Sequence, residues 1–167
     1  MKLNSFVGTY MSIFYIVVFV TTIASFSLSQ VYAEPIIYDD DYIVEKFATG
    51  LQYPTTMYFV GDDILVLEKN TGKVIRISDN GVLYNEPALD VPVIQDNEAG
   101  LLGIVYLSNH VYLSFTESLS GFDKRDRENA RNAVYQYDWN GENLTNPILI
   151  KELPGHLSSI HHGGIIT

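Results

Sequence analysis

The chain has 167 residues, room for about one ordinary domain. Its 20 acidic and 10 basic side chains leave a formal charge of −10, and a surface that acidic repels phosphate backbones, which argues against nucleic acid as a partner. Cysteine is absent, so no disulfide supports the fold, and a core rich in the 12 tyrosines and 8 phenylalanines must hold it.

Lys2 is the only charged side chain in the first 33 residues. Residues 10–28 are uncharged and mostly apolar, and Val31-Tyr32-Ala33 supplies a small-x-small ending that a signal peptidase could cut. Residues 1–33 are therefore expected to be a secretory signal peptide. The competing reading is an uncleaved N-terminal apolar helix that anchors the chain in the membrane through residues 10–28, since about 18 apolar residues is the lower edge of a span. Both readings place residues 34–167 outside the cytoplasm: secreted, periplasmic, or anchored to the outer face of the cell membrane.

Residues 34–41, with Pro35 and the run Asp39-Asp40-Asp41, read as an exposed, solvated lead-in. Residues 42–47 alternate well enough to predict a first strand. Residues 55–60 are β-branched and aromatic, Gly61-Asp62-Asp63 turns the chain, and residues 64–67 form an apolar run suited to a strand buried on both faces. Asn70-Thr71-Gly72 is a short hairpin connection, residues 74–78 a further strand, and Asn80-Gly81 a strong turn signal before extended structure at 82–84. Four short strands with tight turns and no helical periodicity predict one blade of a β-propeller.

A second pass starts at Gly100. Residues 101–107 are an apolar strand, Ser108-Asn109 a minimal turn, and residues 111–116 place Val111, Leu113 and Phe115 on one face. Residues 118–132 carry mixed charges and read as a solvated connection. Residues 133–139 alternate again up to the Asn140-Gly141 turn, and 148–153 make an outer strand. Met57 and Ile104 are matched at a spacing of 47 residues, as are Leu65 and Tyr112, which suits a four-stranded blade repeat. The fold class expected is all-β: a propeller with about two blades plus the start of a third. Propellers close with about 4–8 blades. Residues 34–167 are therefore expected to be the N-terminal part of an incomplete propeller domain.

Two segments carry chemistry. Asp96, Asn97 and Glu98 precede the step Gly100-Leu101-Leu102-Gly103; taken alone they form a polar loop. His161-His162-Gly163-Gly164 precedes an apolar strand. Adjacent histidines on extended backbone point to opposite faces and make a poor metal pair. One imidazole beside two glycines suits an accessible general base, and an incidental surface histidine is the plainer alternative.

The succession of motifs resembles the glucose/sorbosone dehydrogenases, soluble exported aldose sugar dehydrogenases that use pyrroloquinoline quinone. The matching pieces are Phe47-Ala48-Thr49-Gly50-Leu51-Gln52-Tyr53-Pro54, the run Val66-Leu67-Glu68-Lys69-Asn70-Thr71-Gly72-Lys73-Val74-Ile75-Arg76-Ile77, the glycine step with its strand, residues 111–117, and His161-His162-Gly163-Gly164. They occur in family order. The resemblance implies a six-bladed propeller, a sugar substrate oxidised at its anomeric carbon, an external electron acceptor, and pyrroloquinoline quinone with calcium, most of whose ligands would fall beyond Thr167. It implies that His161 is the catalytic base and that Glu98 lies beside cofactor and substrate. The best-known glucose dehydrogenases carry glutamine at the latter place. A carboxylate beside a cofactor that bears carboxylates is repulsive unless a cation offsets it, and the resemblance places such cations beyond Thr167 as well.

Two other readings are a non-redox extracytoplasmic binding module on the same scaffold, and a lactone hydrolase, which would need more channel carboxylates than Glu98. Asn143-Leu144-Thr145 matches a glycosylation acceptor pattern that suits an exported surface turn.

Overall fold

A computed structural model describes residues 35–121, 125–153, 163, 164 and 166. The expected signal or anchor helix therefore lies outside the described residues, as do His161 and His162. Among the described residues no helix is long and apolar enough to cross a membrane.

The described chain is all-β. Strands β1 (Pro54–Val60), β2 (Asp63–Glu68), β3 (Lys73–Ser78) and β4 (Leu89–Asp90) form one sheet. Strands β5 (Leu101–Leu107), β6 (His110–Ser118), β7 (Ala130–Trp139) and β8 (Leu144–Glu152) form a second. Each sheet is an antiparallel meander in sequence order. The two are successive blades of a β-propeller, as the repeat predicts.

The repeat extends to the register. Met57 pairs with Val66 in the first sheet, and Ile104 pairs with Leu113 in the second, each partner displaced by the same 47 positions. Even the irregularity recurs: the ladder slips between Pro54 and Thr56 and again between Leu101 and Gly103. The third strand breaks the period. Ile77 opposes Ile64 whereas Tyr137 opposes Val111, a displacement of 60 positions, because the charged connection between β6 and β7 is longer than the Asn70-Thr71-Gly72 turn.

The core follows from which faces the strands hide. Leu65, Leu67 and Val74 of the first sheet meet Leu101, Val111, Leu113 and Phe115 of the second, with Tyr137, Trp139 and Leu144 extending the cluster. Strand β2 is buried at five of its six positions, as its continuous apolar run predicts. Its other face carries a smaller cluster, Ile64, Val66 and Ile77, covered in part by Ala48 and Leu51.

Two expected strands are corrected. Residues 42–47 join no ladder, and Tyr42, Ile43 and Val44 are exposed. Alternation selects faces but makes no strand without a partner edge. The fourth strand of the first sheet lies at Leu89–Asp90 rather than 82–84; Leu83 makes only an isolated bridge to Ile77. The outer edge is nevertheless followed in steps, since Tyr84 N donates to Arg76 O at 3.1 Å and Ala88 N to Val74 O at 2.8 Å. Between these two bonds lies Pro87, which has no N–H to give a ladder.

The turns obey local chemistry. Ser108 and Asn109 both take positive φ, 51° and 67°, the mirror-image turn whose twist suits a two-residue hairpin. The β7–β8 turn is held by Asn140 Oδ1, which accepts from the amides of Glu142 at 2.9 Å and Asn143 at 2.7 Å.

Candidate functional site

The first sequence-predicted residue, Glu98, sits on a tight turn at the end of the sheets where β5 begins. Ala99 N donates to Asp96 O at 2.6 Å, closing the turn, and Asn97 takes a φ of 38°. Both flanks are buried: Val93 and Ile94 on one side, Ala99 and Leu101 on the other. Ile94 N donates to Thr116 O at 2.9 Å, which fixes the approach to the second sheet. The turn is thus a short polar tip on a rigid base, and Glu98 is exposed on it.

Two cations grip this tip, whereas the motif resemblance places the offsetting charges beyond Thr167. Lys69 Nζ donates to the carbonyl of Asn97, the residue before Glu98. Arg127 pairs with Asp96. Lys69 comes from the turn after β2 and Arg127 from the short 3₁₀ turn Arg127–Asn129 that precedes β7. The charged connection is therefore not wholly a solvated loop. Sequence spacing gave no sign of either pairing: the packing of two blades brings Lys69 to the tip, and the fold of the second sheet brings Arg127.

The two glycines of the step have separate duties, both set by close approach. Gly100 has a φ of 141°, and a Cβ there would come within 2.6 Å of Lys69 Cγ. A Cβ on Gly103 would fall on the carbonyl oxygen of Gly164. Ser114, the cross-strand partner of Gly103, donates from Oγ to that same carbonyl at 3.0 Å. Gly164 is in this way laid against β5 and β6, while Gly163 before it is exposed. A cavity of about 200 Å³ opens beside Gly164, lined by Leu102, Ser114, Asn132, Val134 and Ile166. Thr116 Oγ1 donates to Asn132 Oδ1 at 2.7 Å on the same face.

A second polar group at this end escaped the sequence reading. Glu117 and Arg131 are register partners on β6 and β7, and Arg131 Nε donates to Glu117 Oε2 at 2.7 Å. Arg131 Nη2 also donates to the Tyr135 hydroxyl at 2.8 Å, and that hydroxyl donates to Glu117 Oε2 at 2.9 Å. The Tyr135 ring stacks on Phe115 with centroids 5.3 Å apart. Burial, with Glu117 adding to it, raises the Tyr135 phenol above its usual range, and the bond to Glu117 raises the Arg131 guanidinium. Opposite charges at facing ends of the predicted strands were the signal available for this triad. On the first sheet, buried Glu68 accepts from Gln52 N at 2.6 Å and from Thr71 Oγ1 at 2.7 Å, tying the approach to β1 against the β2–β3 turn.

Among the described residues no group of three or more histidine or acidic side chains converges as a metal site. What the tip does offer is an exposed carboxylate on Glu98, with the Lys69 ammonium held on the backbone carbonyl of the residue before it.

No family model matches the chain, and no curated protein matches it significantly. Solved structures do. A protein from Thermus thermophilus, assigned as an oxidoreductase (glucose dehydrogenase), superposes with a TM-score of 0.60 and 23% identity over 72% of this chain. Two further structures described as glucose dehydrogenase superpose at 0.56, with 26% and 25% identity, each over 69% of this chain. The chain is built like part of a glucose dehydrogenase. It spans about a third of those structures: 35%, 34% and 37% of their lengths. The fold thus agrees with the resemblance drawn from the motifs to the glucose/sorbosone dehydrogenases.

Proposed function

We propose that this chain is part of an exported, quinone-dependent oxidoreductase that oxidises aldose sugars at the anomeric carbon. The observation that supports it most is the structural likeness to glucose dehydrogenases, at up to 26% identity over 69% of this chain. In this reading residues 1–33 direct export. His161 accepts the proton of the anomeric hydroxyl on a ring nitrogen, which a neutral imidazole does near physiological pH. Glu98 stands at the wall beside the sugar and the cofactor. Pyrroloquinoline quinone, when bound, supplies the hydride acceptor, and calcium neutralises part of its charge. Lys69 makes Glu98 compatible with that anionic group, since an ammonium at the neighbouring residue offsets the repulsion a lone carboxylate would exert. An external acceptor would take up the electrons removed from the sugar.

The test uses the protein expressed from its complete reading frame, supplied with pyrroloquinoline quinone and calcium. Aldoses are expected to drive reduction of an artificial electron acceptor, and His161→Ala to lower the rate by about 100-fold or more, the scale of a lost general base. Full activity in that variant overturns the assignment of the base. A protein that binds sugar but reduces no acceptor is instead the binding module.

A further inference from the structure

The β7–β8 turn does something the sugar chemistry leaves unexplained: it displays the chain's one Asn-x-Ser/Thr tripeptide, Asn143-Leu144-Thr145, on the surface. We propose that Asn143 is an N-glycosylation site, modified when the chain is exported. The inference rests on the export half of the proposed function.

Residues 141–143 are exposed, and the backbone that carries them is held. Asn143 N donates to Asn140 Oδ1 at 2.7 Å, and Asn143 O accepts from Asn140 N at 3.3 Å, so the side-chain amide is spent on neither bond. The next residue, Leu144, is buried, and its amide donates to Ala88 O at 2.9 Å. This anchor points the neighbouring asparagine outward. Beyond it the β7–β8 ladder slips between Gln136 and Asp138, and Asn146 takes a φ of 52°. The ladder slips only past Thr145, so the exposed Asn143 sits at the turn end of an edge strand, where a transferase can reach it as the chain is exported.

The location is compatible with the candidate site. Trp139 N donates to Asn109 O at 3.4 Å, so the β7–β8 turn shares an end of the sheet with the β5–β6 turn. The Glu98 turn precedes β5 and lies at the opposite end. A glycan on Asn143 would leave that end open. It would also stand beside β8, an edge strand on which Ile148 and Ile150 are 52% and 50% exposed, and would obstruct edge-to-edge pairing there.

The reaction is a glycosyl transfer from a lipid-phosphate-linked oligosaccharide. The amide nitrogen of Asn143 forms a bond to C1 of the first sugar while the C1–O bond to the lipid phosphate breaks. The phosphate leaves with that electron pair, and the amide proton passes to a base of the transferase. No oxidation or reduction occurs.

The test translates the full chain in the presence of glycosylation-competent microsomes and reads endoglycosidase-sensitive shifts on a gel. One glycan is expected. Asn143→Gln and Thr145→Ala should remove it, and Thr145→Ser should keep it. As an internal control, Pro87→Thr completes a second acceptor at Asn85, on an exposed stretch of the first sheet's outer edge; that chain should carry two glycans. A Pro87→Thr chain with one glycan, unaffected by Asn143→Gln, overturns the site while leaving export intact. A Pro87→Thr chain with none overturns export, and the proposal with it.

Discussion

Leu101 N donates to the carbonyl of Lys69 at 3.0 Å, so the turn that follows β2 and the first residue of β5 are one hydrogen-bonded unit. Thr55 Oγ1 reinforces the joint by donating to Leu101 O at 3.1 Å. Lys69 serves this joint twice, through its carbonyl and through the side chain that reaches Asn97. The candidate site is therefore positioned by contact between blades rather than by either blade alone.

Gly103→Ala is expected to destabilise the protein by about 1–3 kcal/mol, the cost of forcing added volume into a packed place. The added methyl would displace the Gly164 carbonyl and break its bond from Ser114. Urea unfolding measures the first effect. Faster amide exchange near residues 163–166 measures the second, and an unchanged exchange pattern there would refute the account.

Arg131→Met leaves the Glu117 carboxylate, whose side chain is only 17% exposed, with the Tyr135 hydroxyl alone. A loss of about 1–3 kcal/mol is expected, because one partner of a partly buried charged pair has been removed. Adding Glu117→Gln should recover part of it, and a double-mutant cycle by thermal unfolding checks this.

The Tyr137 phenol is pushed far above its usual value of about 10, first by burial, then by the nearby Tyr135 and Glu117. Its folded form keeps the proton where the unfolded chain loses it. The resulting stability is complete below pH 10 and declines as pH rises above it, with a slope approaching about 1.4 kcal/mol per pH unit. Tyr137→Phe should flatten the decline between pH 10 and 11 in denaturant titrations; an equally steep fall would contradict the burial argument.

Glu98→Gln restores the amide found in the best-known glucose dehydrogenases. Because Glu98 is exposed, stability should change by no more than about 0.5 kcal/mol. In the protein from the complete reading frame, quinone affinity should rise, because the Lys69 ammonium, no longer offset by the Glu98 carboxylate, is left to attract an anionic group. Isothermal titration with pyrroloquinoline quinone measures it, and weaker binding would show that the carboxylate has an attractive role.

Most of the blade pattern was legible because local chemistry determines it. The turn at Ser108-Asn109, the buried run of β2 and the 47-residue repeat all depend on neighbours in sequence. What stayed hidden depends on partners. Residues 42–47 have the alternation of a strand but no ladder, and Pro87 delays the pairing of the first sheet's outer edge to Leu89–Asp90. Glu98 was legible as a polar tip, yet Lys69 and Arg127 beside it were not. Only the docked blades bring Lys69 to the residue before Glu98. His161 stands outside the described residues, so its role rests on sequence resemblance.

The sequence-ordered meander of each sheet has a kinetic meaning. Every ladder joins consecutive strands, so each sheet can assemble by closing short loops, the least costly in chain entropy. The bonds from Thr55 and Lys69 to Leu101 then close spans of 46 and 32 residues. Their longer spans are expected to close last, when the two sheets dock. Substitutions at this seam should chiefly accelerate unfolding, whereas substitutions inside the hairpins should slow refolding.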